Sequence, residues 1–162
     1  MNVKLQDFGN EHLRFIEKWE VEGEIYNYLS HSRPKCLSDG AEELWHTTRL
    51  YMIDLESLVV GCVWLEDLDF LKREGKLSIY LGEIHCRGMA VGRTVIKRIL
   101  SLAFGPLELN KVVLNVREKN TTAINCYKSC GFFITKEFSK RRFPDGSFQC
   151  TYEMTVNKNT KL

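Results

Sequence analysis

Apolar residues alternate with polar ones in several short runs of this chain, which is the spacing of β-strands that bury one face. The alternation and the β-branched content predict six strands, at Leu50–Leu55, Val59–Leu65, Lys76–Gly82, Lys111–Arg117, Phe132–Phe138 and Phe148–Val156. Between the last two strands, the Pro-Asp-Gly-Ser sequence at Pro144–Ser147 is typical of a tight turn. A β-sheet is therefore expected to be the main element.

Four other segments place their apolar residues at helical spacing. They are Glu11–Trp19, Ala41–Thr47, Val91–Phe104 and Thr121–Cys130. The third segment has the strongest pattern, and Gly105-Pro106 ends it sharply. The order of strands and helices predicts an α+β fold, a mixed and mostly antiparallel sheet flanked by helices, in a single domain over residues 1–162.

The charge balance argues against a nucleic-acid or membrane partner, because 23 basic and 21 acidic residues leave a formal charge of only +2. Charged residues interrupt the N-terminal segment, and no apolar run approaches the roughly 18–20 residues of a membrane span. The six cysteines therefore indicate free thiols in a cytoplasmic protein. Cys126 and Cys130 are the closest pair, and their spacing differs from the C-x-x-C of zinc sites, so no metal is predicted.

The junction between the predicted third strand and the strongest helix carries the most chemical information. Its loop, Arg87-Gly-Met-Ala-Val-Gly92, leads directly into the helix. Free backbone amides at a helix start form an anion site, and glycines let a phosphate approach the main chain. Arg87 and Arg93 can add charge-assisted contacts. The loop alone is equally compatible with a turn that merely needs glycine, but it matches neither the Walker loop nor the dinucleotide-binding fingerprint.

A second motif follows the next strand and strengthens the phosphate interpretation. Arg87-x-x-Ala90-x-Gly92 is followed by strand Val112–Arg117 and then by Asn120-x-x-Ala123-Ile-Asn-x-Tyr127-x-x-x-Gly131-Phe132. Together these motifs resemble the GNAT superfamily of acyl-CoA-dependent N-acetyltransferases, over about residues 77–133. The chain departs from the family at Ala90, where the family usually has glycine.

The resemblance implies acetyl-CoA as cosubstrate and a set of residues that bind it. The pantetheine arm would pair with the main chain near Gly82, the pyrophosphate would lie on the amides after Arg87, and Asn120 would hold the arm through its side-chain amide. Tyr127 would lie near the thioester sulfur. The residues implied in cosubstrate binding are Leu81, Gly82, Glu83, Arg87, Gly88, Met89, Ala90, Val91, Gly92, Arg93, Asn120 and Tyr127.

Direct attack of an amine on the thioester needs a neutral nucleophile and a protonated leaving group. Tyr127 is the candidate acid, because its phenol can donate to the departing sulfur. Glu83 is the candidate base, acting directly or through water. The structural alternatives are a half-buried aromatic position for Tyr127 and a solvated strand-end carboxylate for Glu83.

The acceptor is less clearly indicated than the cosubstrate. Between Leu50 and Leu71 there are five acidic residues and no Lys or Arg, whereas Arg87–Arg98 is basic and carries no acid. This asymmetry suits a cationic amine on one side and CoA phosphates on the other. Solvated turn charges would produce the same pattern.

Four residues are candidates for acceptor binding: Tyr26, Tyr28, Glu66 and Asp69. The expected function is acetyl transfer to a small primary amine such as a polyamine, an aminoglycoside or an amino sugar. The alternatives are a protein N-terminus or lysine as the acceptor, and a CoA-binding sensor without turnover. The chain is expected to act as a monomer or homodimer.

Overall fold

The structure is a computed structural model, and it describes residues 1–22 and 33–160. These residues contain seven strands and three α-helices. The strands are Val3–Asp7 (β1), Arg49–Leu55 (β2), Leu58–Asp69 (β3), Glu74–Leu81 (β4), Lys111–Arg117 (β5), Phe133–Arg142 (β6) and Phe148–Asn157 (β7). The helices are Leu13–Val21 (α1), Val91–Phe104 (α2) and Thr121–Ser129 (α3). No helix within these described ranges is long and apolar enough to span a membrane.

The strands form one sheet in the order β1-β2-β3-β4-β5-β7-β6. Every neighbouring pair is antiparallel except β4 and β5, which run parallel because α2 carries the chain back between them. The structure therefore confirms the predicted α+β class and the mostly antiparallel sheet.

The parallel pair is joined over only a short length. β4 and β5 pair at Glu74–Lys111, Gly75–Val112 and Lys76–Val113, and no pairing follows. β4 remains paired with β3 as far as Leu81, and β5 remains paired with β7 as far as Arg117. The two strands thus separate in the middle of an otherwise continuous sheet.

Each face of the sheet has its own apolar core. On one face α2 buries residues such as Val95 and Ile99 against β3, β4, β5 and β7, and α3 adds Ile124. The opposite face carries a smaller aromatic cluster of Trp19, Leu50, Met52, Cys62, Trp64 and Tyr80, which α1 covers at its end. The regular apolar stripe of α2 accounts for the larger core.

The six predicted strands and the predicted helices α2 and α3 are confirmed within a few residues. Three local differences remain. β1 was not predicted, because it is short and has only two apolar residues facing inward, so its alternation is weak. Ala41–Thr47 forms a 3-10 helix over Glu42–Thr47 instead of an α-helix, and a 3-10 turn at Asn10–His12 precedes α1.

Candidate active site

A cleft of about 730 Å³ opens where β4 and β5 separate. It reaches from the strand ends to the first turns of α2 and α3. Its lining includes Ile79, Tyr80, Leu81, Arg87, Gly88, Ala90, Val91, Gly92, Arg93, Asn115, Asn120 and Tyr127. The cleft therefore brings together most of the residues that the sequence implied in cosubstrate binding, and it adds Tyr80 and Asn115.

The loop before α2 presents unbonded amides at the mouth of this cleft. The first helix amide that bonds back is that of Thr94, which donates to Ala90 O at 3.1 Å, and no side chain caps the helix. A Cβ added to Gly88 would meet nothing within 4 Å, and one added to Gly92 would meet only Cys126 Sγ, at 3.8 Å. The surface over these glycines is open, so it fits a bulky phosphate group.

Ala90 sits in the left-handed backbone region at the start of α2, with φ 60° and ψ 9°. Glycine adopts this conformation without strain, whereas alanine does so at a cost of about 1–2 kcal/mol. The glycine usual in the family at this position thus has a conformational reason, and this chain carries a small strain in its place.

Basic side chains surround the same helix start. Arg87 donates to Leu81 O from Nη2 at 3.1 Å and from Nε at 3.3 Å, which ties the loop to the end of β4. Arg93 is exposed in the first turn of α2, and that turn contains no acidic residue. The helix dipole and the arginine charges both favour an anion here.

The main chain at the end of β4 is less available than the sequence suggested. Leu81 O already accepts from Arg87, and Glu83 N donates to Val60 O at 3.1 Å. Gly82 is held close to α1, because a Cβ there would lie 2.1–2.5 Å from the Trp19 indole. A carbonyl can still accept a second hydrogen bond, so Leu81 remains open to a ligand.

Tyr127 lines the cleft from α3, half-buried against Phe132, with their ring centroids 5.9 Å apart. Burial raises the pKa of its phenol above the usual value, which keeps the hydroxyl protonated. Asn120 lines the same cleft but also caps α3, since its Oδ1 accepts from Ala123 N at 3.2 Å. Its predicted contact with a ligand would have to use the remaining amide NH₂.

Glu83 faces away from the main cleft. Its Oε1 accepts from Lys18 Nζ at 2.9 Å and from Trp19 Nε1 at 3.0 Å. These bonds, that of Trp19 first, lower the pKa of the carboxyl group below its ordinary value. Glu83 lines a second cavity of about 490 Å³ together with His85 and residues of α1 and β3. A paired carboxylate with a lowered pKa is a weak proton acceptor.

The acidic residues between Leu50 and Leu71 have different environments. Asp69 shapes the turn after β3, where its Oδ1 accepts from Leu71 N at 3.0 Å and from Lys72 N at 2.9 Å. Glu66 is buried in β3 at 3% exposure, and its Oε2 has no hydrogen-bond partner. Tyr26 and Tyr28, the other two candidates for acceptor binding, lie outside the described residues.

Cys130 has a lowered thiol pKa, because it interacts with Cys126, but its side chain is fully buried. All six are free thiols, and burial raises the pKa of the Cys86 thiol near the candidate site. Within the described residues, no group of three His, Cys, Asp or Glu side chains is placed to hold a metal ion.

Comparison with known proteins gives the context for this geometry. The model of the acetyltransferase (GNAT) family matches residues 13–132, about three quarters of the chain. The chain belongs to the GNAT acetyltransferase family. It is accordingly an acyltransferase whose cosubstrate is acetyl-CoA, as the sequence predicted.

Two curated GNAT proteins are similar over almost the whole chain. Spermidine N(1)-acetyltransferase of Vibrio cholerae is 26% identical over 154 residues, which cover 94% of this chain and 86% of that protein. Spermidine N(1)-acetyltransferase of Escherichia coli is 22% identical over 166 residues, which cover 99% of this chain and 89% of that protein.

Solved structures support the fold. A crystal structure of spermidine N-acetyltransferase from Vibrio cholerae, in complex with CoA and spermine, superposes with a TM-score of 0.83 at 23% identity and covers 98% of this chain and 96% of that one. A dodecameric structure of the Vibrio enzyme superposes with a TM-score of 0.78 at 23% identity over 96% of this chain and 94% of that one. At this identity, the likeness shows that the chain has the GNAT fold.

The sequence did not single out Tyr80 or Asn115 as site residues. Tyr80 belongs to the aromatic face of the sheet and still lines the cleft, because the separation of β4 from β5 exposes both faces there. The early end of the pairing between β4 and β5 is a feature of the three-dimensional structure. The alternation of apolar residues along β4 does not reveal it.

Replacing Ala90 with glycine is expected to raise the free energy of unfolding by about 1 kcal/mol, because the left-handed strain is removed and only part of the gain is offset by the freer unfolded chain. Urea unfolding measures this change. Ala103→Gly in the buried interior of α2 is the control and should lower the same quantity by about 1 kcal/mol. Equal losses for both variants would contradict the strain assigned to Ala90.

Replacing Glu83 with glutamine removes a charge and keeps an oxygen that can accept from Trp19. A lowered folded-state pKa means that the carboxylate stabilises the fold above the ordinary value of 4.5, and that this stabilisation is lost as the pH falls through the folded-state pKa. Glu83→Gln should therefore be less stable than the wild type at pH 7, with the difference vanishing in acid. Chemical unfolding across pH measures it.

The matched control is Glu22→Gln, because Glu22 also lies 4.0 Å from Lys18 Nζ. Its effect on stability at pH 7 should be smaller, because this ion pair is longer and more exposed. A Glu83→Gln protein that matches the wild type in stability at pH 7 would show that the ion pair does not hold the end of β4.

Proposed function

We propose that this GNAT enzyme transfers an acetyl group from acetyl-CoA to a primary amine of an alkylpolyamine. The observation that carries the proposal is the cleft between β4 and β5, with unbonded helix amides at its mouth and a protonated phenol inside. The polyamine class is supported by the two spermidine N(1)-acetyltransferases, which align with more than nine tenths of the chain.

The cosubstrate's pyrophosphate is proposed to lie on the amides of the loop from Gly88 to Arg93, since helix-start amides and nearby arginines favour an anion. The pantetheine arm then runs along the unpaired part of β4, where the main chain has lost its neighbour β5. Asn120 Nδ2 and Leu81 O are the polar groups placed to hold it. This path directs the thioester toward Tyr127.

Tyr127 is proposed to be the acid of the reaction. The neutral amine attacks the thioester carbonyl carbon, a C–N bond forms, and the C–S bond breaks. The departing sulfur takes the phenolic proton, and solvent later returns a proton to Tyr127. A phenol whose pKa is raised by burial is protonated at neutral pH and can make this donation.

The amine must lose a proton before or during the attack, because an alkylammonium ion is not a nucleophile. Glu83 was the sequence-based candidate for this step, but it is paired with Lys18 and Trp19 and lies in the second cavity. We infer that Glu83 stabilises the end of β4 and that water in the cleft takes the amine proton.

The proposal extends to the organisation of the protein. The chain forms a single catalytic domain over residues 1–162, and its free thiols suit a cytoplasmic location. A monomer or homodimer was the sequence-based prediction, whereas the related Vibrio enzyme has a dodecameric form. Light scattering at assay concentration distinguishes these states.

An acceptor panel with acetyl-CoA tests the function directly. Spermidine, spermine, an aminoglycoside, an amino sugar and an N-terminal peptide are incubated separately, and mass spectrometry detects the acetylated product. The polyamines should be acetylated with the highest kcat/KM. Preference for the peptide or the sugars would overturn the polyamine assignment, and CoA binding without any product would favour the sensor.

Tyr127→Phe removes only the hydroxyl and should lower kcat at least tenfold while leaving CoA affinity within about twofold, because general acid catalysis contributes about 10²–10⁴-fold. Steady-state kinetics and a CoA titration measure the two quantities. Phe132→Leu, which changes the ring beside Tyr127 and keeps its phenol, is the control and should retain most of kcat. Full turnover in Tyr127→Phe would remove Tyr127 from the mechanism.

A further inference from the structure

Three buried polar atoms without hydrogen-bond partners lie on neighbouring strands, on the face of the sheet opposite α2. They are Trp64 Nε1 and Glu66 Oε2 on β3 and Tyr80 Oη on β4. Tyr80 Oη lies beside the Cys62 thiol, which is only a weak partner. An unpaired buried polar group is unfavourable. Trp64 Nε1 is a donor, whereas Glu66 Oε2 and Tyr80 Oη can accept a hydrogen bond from a ligand.

All three atoms belong to the same face of the sheet. Trp64 and Glu66 are two positions apart on β3, and Tyr80 stands opposite Cys62, which shares their face. The rings of Trp64 and Tyr80 are perpendicular, with centroids 6.1 Å apart, and Trp19 meets Tyr80 edge-on at 5.6 Å. The Trp64 and Tyr80 side chains, which carry two of the three polar atoms, are therefore in contact with each other.

The three side chains Tyr80, Trp64 and Glu66 extend away from the candidate active site along one face of the sheet. Tyr80 lines the cleft, while Glu66 lies four positions along β3 from Tyr80's strand partner Cys62. Four strand residues span about 13 Å. An extended triamine has a similar length, so a molecule with one amine in the cleft would bring a distal ammonium group close to Glu66.

Within residues 1–22 and 33–160, no cationic side chain contacts the Glu66 carboxylate directly. Lys76 stands opposite Glu66 in the strand register, but within the described residues it forms no ion pair. Lys35 is in electrostatic range, yet its ammonium bonds to Asp67 at 2.8 Å. Glu66 Oε2 is therefore a buried acceptor that the chain itself leaves unsatisfied.

Among the described residues, the 3-10 turn Lys35–Leu37 lies near Glu66. Lys35 and Cys36 both interact electrostatically with the Glu66 carboxylate. The Lys35–Asp67 ion pair is exposed, whereas Cys36 is buried and Leu37 packs against the aromatic cluster. A ligand that reaches Glu66 therefore has to displace these apolar contacts as well as the exposed ion pair.

We propose that Glu66, two positions beyond Trp64 on the same face of β3, binds the distal ammonium group of the polyamine whose near amine reacts in the cleft beside Tyr80. The carboxylate accepts the N–H bonds of the ammonium, the aromatic faces attract its charge, and the alkyl chain packs against the rings. The inference rests on the proposed function and assigns the residues that distinguish a polyamine from a simple amine.

Glu66→Gln tests the proposal through substrate preference. Kinetics are compared for spermidine and for n-butylamine, which has a reacting amine and no distal ammonium. The variant should raise KM for spermidine at least tenfold, the size expected for a lost charge-assisted hydrogen bond, while kcat changes less than threefold and butylamine kinetics stay unaltered. A general loss of folding would instead affect both amines.

Two further variants complete the test. Glu56→Gln, which changes an exposed carboxylate in the turn between β2 and β3, is the matched control and should leave the ratio of the two kcat/KM values unchanged. Tyr80→Phe keeps the ring and removes the hydroxyl, whose unpaired oxygen can accept an N–H of the polyamine between its two ends. It should raise KM for spermidine several-fold and leave butylamine kinetics unaltered, even if Glu66→Gln does not fold.

The outcomes distinguish a failure of the proposed function from a failure of the distal subsite alone. If the wild type acetylates neither amine, the proposed function fails and the distal subsite fails with it. If the wild type prefers spermidine and both Glu66→Gln and Tyr80→Phe keep that preference, the distal subsite alone is wrong.

Discussion

The separation of β4 from β5 is the constraint on which the rest of the site depends. Parallel pairing stops after Lys76 and Val113, although each strand stays paired with its other neighbour. A gap therefore opens inside the sheet, and the strands on each side of it remain hydrogen-bonded to their outer neighbours. Because the same two strands are joined through α2, the start of that helix and its unbonded amides lie at the mouth of the gap. The α2 connection between β4 and β5 thus determines both the parallel pair and the position of the helix-start amides.

The gap also links the two faces of the sheet. The α2 face supplies a large apolar core that fixes the cleft wall, and the opposite face supplies a compact aromatic cluster. Tyr80 belongs to that cluster and reaches the cleft. Trp19 packs on Gly82 and donates to Glu83, which joins α1 to the end of β4. In the proposed arrangement, the cosubstrate and the acceptor are bound from opposite faces of one pair of strands.

Much of this arrangement could be predicted from the sequence, because strong periodicity and motif spacing report local structure. The α2 stripe and the loop before it led to the helix-start anion site. Side-chain pairings between distant segments were not accessible in this way. The hydrogen bonds that Lys18 and Trp19, more than sixty positions away, donate to the Glu83 carboxylate could therefore not be predicted. Asn120 likewise has a capping role that its motif does not reveal.

Chemical-shift mapping with CoA tests the central claim most directly. In amide NMR spectra of the labelled protein, addition of CoA should shift the signals of the loop from Gly88 to Gly92 and of Leu81 and Tyr127 by the largest amounts. The residues around the second cavity, such as Glu11 and His85, should change little. Shifts concentrated around that second cavity, with the loop before α2 unaffected, would contradict the account.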